Sequence, residues 1–262
     1  MNRKLSAFWV AIFAWISIHS SANGDTLSTT DVLRRIVERA KQNEELANNI
    51  GFHQVTTDRK LKEGKISEQK IRAYRTIWLE NKPYLELIQV NGKEPDEKEK
   101  KEEKKKKAKF IKSIREKPEE DPENITWEDL YSKYEFQPMP ADSTGVYVFS
   151  FRPKSGKLTE RSKIEKVLNH IIGKFWADEN FNIVRAEAKL LDDVRFGLGI
   201  LGILEKLEMQ YEQHNFEQIL VPSYVSIHFK ARVALVKMEE RKIEATFTDF
   251  FRRHEVSAAG GL

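Results

Sequence analysis

The sequence predicts an α+β protein, mainly antiparallel β, folded as one strongly curved sheet. Three observations lead there. Apolar and polar residues alternate in run after run from Val55 to Phe251, with no βαβ rhythm between the runs. Turn pairs such as Glu63-Gly64 and Asn91-Gly92 punctuate them as a meander requires. The alternation over 183–194 is long: at about 3.3 Å per residue it spans roughly 40 Å, which suits a bent sheet better than a compact sandwich.

Residues 28–50 read as a helix. Ser28, Thr29, Thr30 and Asp31 offer N-caps, and Val32, Leu33, Ile36, Val37 and Ala40 recur at helical spacing, one apolar stripe suited to lie on a sheet. Val55, Thr57, Arg59 and Leu61 then form a strand that turns at Glu63-Gly64. The run 66–80 sets Ile71, Ala73, Ile77 and Leu79 on one face, with Tyr74 and Trp78 on the other. Asn81-Lys82-Pro83 turns it into a third strand, Tyr84 to Val90.

Residues 93–123 break the pattern with a Lys/Glu-rich helix. Asp96/Lys100, Glu97/Lys101, Glu102/Lys106 and Glu103/Lys107 are i,i+4 pairs in the favourable order. Interleaved charges favour a solvated or fraying helix; the competing reading is a basic tether to anionic lipid or a partner. Pro118 and Pro122 end the insert, and a short helix from Trp127 to Tyr131 follows.

The second half returns to strands. Gly145 to Phe151 places Tyr147, Phe149 and Phe151 on one face, and 160–172 reads as an amphipathic helix built on Ile164, Val167, Leu168 and Ile171. Lys174 to Ala177 is a short strand turning at Asp178-Glu179-Asn180. Val184, Ala186, Ala188, Leu190 and Val194 mark one half-buried strand. Leu207, Met209 and Tyr211 share a face, as do Ile219, Val221, Val225, Ile227 and Phe229, with Ser223 the polar member. After a bend near Lys230-Ala231-Arg232, the last run carries Ile243, Ala245, Phe247 and Phe251.

The N-terminus has the form of an export signal. Asn2-Arg3-Lys4 is a positive head, and the apolar run from Leu5 to Ile18 falls short of the roughly 20 residues that span a bilayer. Small residues follow, and Ala22 offers the best cleavage point. The chain thus divides into a leader, 1–22, and a single domain, 25–256, with the charged insert at about 93–123. An exported chain of this size with no cysteine must rely on its core rather than on disulfides, and points to a bacterial periplasm. The 45 basic and 41 acidic residues are interspersed, which argues against nucleic acid as a partner.

Catalytic motifs find no support. Gly197, Gly199 and Gly202 spell G-x-G-x-x-G, but without βαβ context the letters read as a hairpin turn. The histidines are scattered and no cysteine can complete a metal site; His228 reads as an outward or satisfied strand residue. Asp192 and Asp193 are strand neighbours facing opposite ways, and Asp192 either faces inward or marks the strand's exit. Asn124-Ile125-Thr126 is a sequon that matters only in a eukaryotic secretory route. No enzyme, cofactor or metal is expected.

The aromatic residues remain. Trp78, Tyr147, Phe149, Phe151, Phe175, Trp176, Met209, Tyr211, Phe229 and Phe247, with Val184 and Ile227, lie on strands whose other faces are polar. Two readings stand: a core packed beneath helices, or a face partly unfilled as a cavity for an apolar guest.

Phe175-Trp176-Ala177-Asp178, a turn, and Val184-Arg185-Ala186-Glu187 resemble the strand-turn-strand of the LolA/LolB-like lipoprotein carriers and receptors of bacterial envelopes. Val90-Asn91-Gly92-Lys93-Glu94-Pro95 leading into a charged helix is similar to exported outer-membrane lipoprotein-sorting proteins. The resemblance implies a half-open barrel closed by helices, with an apolar interior. It also implies a periplasmic or secreted lipid- or lipoprotein-binding carrier whose partners are acyl chains. An envelope stress sensor or scaffold that binds envelope or outer-membrane proteins through the same fold is the alternative, and peripheral membrane contact fits either. The Lys/Glu insert and the lack of the receptors' lipidated cysteine depart from the family pattern.

Overall fold

The computed structural model describes residues 28–116, 133–142, 146–156, 158–160, 162–197, 202–233 and 236–253. The predicted leader, the Trp127–Tyr131 helix and the sequon lie outside them. Within them eleven strands form one antiparallel sheet: β1 (Ile50–Lys62), β2 (Lys65–Leu79), β3 (Lys82–Val90), β4 (Tyr134–Met139), β5 (Tyr147–Pro153), β6 (Ile171–Ala177), β7 (Ile183–Leu190), β8 (Val194–Phe196), β9 (Gly202–Phe216), β10 (Ile219–Val233) and β11 (Lys237–Arg252). The order is β3-β2-β1-β11-β10-β9-β7-β6-β5-β4, with β8 also on β9. The edge strands β3 and β4 do not pair, so the sheet is not closed into a barrel. Among the described residues three helices accompany it: α1 (Thr29–Ala47), α2 (Glu97–Arg115) and α3 (Lys163–Leu168). Among the described residues no helix is long and apolar enough to cross a membrane.

The predicted meander is β1, β2 and β3. Its first turn needs left-handed backbone at Glu63 and Gly64 (φ 53° and 74°), the geometry of a two-residue hairpin. α1 begins where the sequence caps it, the Ser28 hydroxyl accepting the Asp31 N–H at 3.1 Å. It ends earlier than predicted: the Asn48 N–H closes on the Glu44 carbonyl, and Ile50 already belongs to β1.

Two expectations need correction, and one strand is added. The predicted helix over 160–172 is confined to α3, because Asn169 caps it and the chain turns at His170 into β6. The single strand over 183–194 is two. β7 and β8 pair with the same side of β9, but Leu191–Asp193 break the line, and the Leu191 N–H turns to the His170 carbonyl. β7 alone spans roughly 26 Å at about 3.3 Å per residue. The strand β4, which the pattern reading did not assign, tolerates Pro138 because it is an edge.

The charged helix is neither free nor frayed. α2 lies along the open side of β3, where an unpaired strand would invite another chain. The Glu103 carboxylate, buried, accepts the Tyr84 hydroxyl at 2.8 Å and the Leu87 N–H at 3.4 Å. Lys107 reaches Glu86, Lys70 reaches Glu99, and Phe110 packs on Tyr84. The expected Glu103/Lys107 pair is thus replaced by contacts from each residue to the sheet. Burial, then the Glu103 carboxylate, pushes the Tyr84 phenol above its ordinary range.

Candidate functional site

Register partners share a face, and one face gathers the predicted apolar set. Phe149, Met209, Tyr211, Ile227 and Phe247 are buried in a single cluster, with Tyr147, Phe151 and Phe229 packed at its margin. Phe149 stacks on Phe175 at 5.3 Å, and Phe52 meets Phe247 edge-on at 5.3 Å. Four side chains of α1, Val32, Leu33, Ile36 and Val37, lie in the same cluster together with Leu168 of α3. Burial holds the Tyr211 phenol up at about 12. Gly173 lets β6 fit here, since a Cβ would sit 2.2 Å from the Glu187 carbonyl and 2.5 Å from the Phe151 ring.

Three candidates fall elsewhere. Trp176 pairs with Arg185 on the opposite face, its indole N–H donating to Asp142 at 2.8 Å and its ring under the Arg185 guanidinium at 5.2 Å. The register shift between Trp176 and Ala177 brings Ile183, not Val184, into the core opposite Ala177. Trp78 packs edge-on against Phe251 at 5.9 Å, outside the main cluster. Pattern reading missed Tyr134, Phe136 and Phe52, although Tyr134-x-Phe136 does alternate.

The opposite face carries a recess of about 1190 Å³. Gln137, Ser150, Lys174, Glu187, Gln210 and Ser226 cross it as one row, each the register partner of the next. Beside it runs a second row, Ile172, Lys189, Glu208, His228 and Lys242. Most of these residues are the polar members of alternating runs; the strand register lines them up, and the β7–β9 pairing joins the two halves of each row. His228 is satisfied as expected, its Nε2 lying 2.9 Å from Glu240. Just past the recess, Lys242 at 2.9 Å, Arg59 and Tyr224 at 3.0 Å surround Glu244 and hold its carboxyl down at about 2.

The remaining sequence candidates settle simply. Asp192 is exposed at the exit of β7, paired with His170 Nδ1. Gly197 has left-handed backbone (φ 55°) between two paired strands, and the strand β9 stands where a dinucleotide fingerprint needs a helix.

Chemically, the molecule offers an apolar face under a helix and, on the other face, a recess lined by apolar surface together with donors, acceptors and both signs of charge. No protein-family model matches the chain, and no curated protein matches it. Among solved structures the chain is similar to a DUF1329 family protein from Desulfovibrio piger. The identity is 12%, over 84% of this chain and 92% of that one, and the TM-score of 0.32 is too low to argue from.

Proposed function

We propose that this chain is a periplasmic carrier that holds acyl chains of a lipid or lipoprotein against the apolar face of its sheet. In this reading the sheet is a curved half-barrel of the LolA/LolB-like kind, α1 and α3 close it, and the leader predicted over 1–22 directs export. One observation supports it above others: among the described residues the apolar face is covered by one amphipathic helix and one short one rather than by a second sheet.

The magnitudes suit a cover that lifts. Four buried aliphatic side chains hold α1 down with roughly 6–12 kcal/mol. An acyl chain of about 14 methylenes gains roughly 11 kcal/mol at about 0.8 per CH₂. Cargo and cover are therefore near balance, which is what loading and release both need.

Native mass spectrometry of the purified chain lacking 1–22 tests the reading, together with uptake of a fluorescent fatty acid. Phe149→Asp abolishes uptake, whereas Trp176→Asp, on the other face, leaves it intact. The chain has no native cysteine, so a disulfide engineered between α1 and β10 blocks uptake until it is reduced. Lipid-free protein that ignores the fatty acid would end the proposal.

The recess favours a second reading, an envelope scaffold that binds another protein. Two cross-strand rows of mixed charge suit a polar segment better than an acyl chain. A pull-down in which a protein partner is lost with the double change Lys174→Glu and Glu187→Lys, and in which no lipid appears, would select it.

A further inference from the structure

Four exposed large apolar side chains gather at one end of the sheet: Ile66 (58% exposed), Val233 (42%), Val236 (86%) and Met238 (43%). They belong to the tips of two hairpins, β1–β2 and β10–β11, set side by side because β1 pairs with β11 as far as Leu61↔Glu240. The register puts Ile66 and Met238 on one face and Val233, opposite Lys237, on the other. No single packing surface covers groups that point both ways from a tip. A medium that surrounds the tip does.

The charges at this end agree. Lys62 and Lys65 stand directly opposite each other across the β1–β2 hairpin, an arrangement that is self-repelling. Among the described residues neither they nor Lys237 form an ion pair. The acidic groups of β9 and β11 nearby are engaged: Glu205 with Lys230 and Arg232, Glu239 with Arg241, Glu240 with His228. On the β1–β2 hairpin itself Glu63 and Glu68 accompany Lys60, Lys62 and Lys65, Glu68 lying opposite Lys60.

We propose that this end of the sheet docks on an anionic lipid bilayer. The two tips immerse Ile66, Val233, Val236 and Met238 at the headgroup–acyl boundary, and the lysines meet lipid phosphates while their stems lie along apolar surface. The proposal does not depend on the acyl-carrier reading, since the tips lie outside the buried cluster.

Co-sedimentation of the purified chain with vesicles tests it, using phosphatidylcholine alone and phosphatidylcholine mixed with phosphatidylglycerol. The chain binds the mixed vesicles more tightly, and added salt weakens that binding. Lys62→Glu, Lys65→Glu and Lys237→Glu each lower the affinity for mixed vesicles by about fivefold or more. Val236→Asp with Met238→Asp lowers binding to both kinds of vesicle, while the melting temperature of these exposed-site variants stays unchanged. Failure of the wild type to bind mixed vesicles, or equal binding by all variants, overturns the proposal. So does lipid-free dimerisation that Val236→Asp abolishes, which would assign the tips to a second copy. Fatty-acid uptake measured on the same variants separates failure here from failure of the carrier reading.

Discussion

Asn43 of α1 serves Leu220 of β10 as a neighbouring strand would: its amide accepts the Leu220 N–H at 2.6 Å and donates to the Leu220 carbonyl at 2.6 Å. The substitute is needed because β10 pairs with β9 from Ile219 onward, whereas its ladder with β11 begins only at Tyr224.

Asn43→Ala removes both bonds at a buried position. Each backbone group left without a partner costs on the order of 1–3 kcal/mol. The expected outcome is a lower urea midpoint together with loss of hydrogen-exchange protection at Leu220 and along α1. Loss of protection at Leu220 alone would separate the strand's satisfaction from the helix's docking.

Lys133 and Glu165 form a buried ion pair at 2.9 Å, with side chains 7% and 1% exposed. Lys133→Met takes the cation away from the buried carboxylate and should cost about 3–5 kcal/mol, while Lys133→Met with Glu165→Leu should recover most of it, since apolar replacement of a buried pair is often neutral. A thermal-unfolding double-mutant cycle measures the difference.

Glu103 seals the β3 edge. Glu103→Ala should cost about 1–3 kcal/mol from the Tyr84 and Leu87 groups it leaves. Replacing the whole of α2 by a short flexible link should leave an edge open to pairing. Concentration-dependent self-association, read by analytical ultracentrifugation, is the expected result; a monomer would show that β3 needs no cover.

Glu244 provides a pH signature. Its carboxyl sits at about 2 in the fold against an ordinary 4.5, because Lys242 beside it, then Arg59 and Tyr224, favour the charged form. A lowered folded pKa contributes stability that is complete above about 4.5 and lost as pH falls toward 2. Urea midpoints should therefore drop across that window in the wild type. The gap to Glu244→Gln should close over the same range.

The elements set by local periodicity were legible in the sequence: the α1 stripe, the β1–β3 meander and the long strands β9 to β11. Those set by register were not. Trp176 and Phe175 look equivalent as letters, yet adjacent strand residues face opposite ways, and a shift at Ala177 decides that Ile183 rather than Val184 enters the core. Ile171 sits at helical spacing from Val167 and Leu168, so it extends the α3 pattern by coincidence; it reaches the same core from a strand. The Lys/Glu run announces a helix, but its docking depends on a strand edge that composition does not reveal. The recess was hidden for a related reason: most residues of its rows look like ordinary solvent-facing positions of separate strands, while Gln137 lies on the unassigned β4 and Ile172 in the stretch read as helix.

The pairing of β1 with β11 has a kinetic consequence. Arg59 meets Glu244 from 185 positions away, so the first strand described finds one of its two neighbours only when the last has been synthesised. Closing so long a loop is slow, and until then the β1–β2–β3 meander presents β1 as an unpaired side. Until the last strand is available this half of the sheet waits for its partner, and a chaperone that shields β1 in that interval would be expected to raise the folding yield.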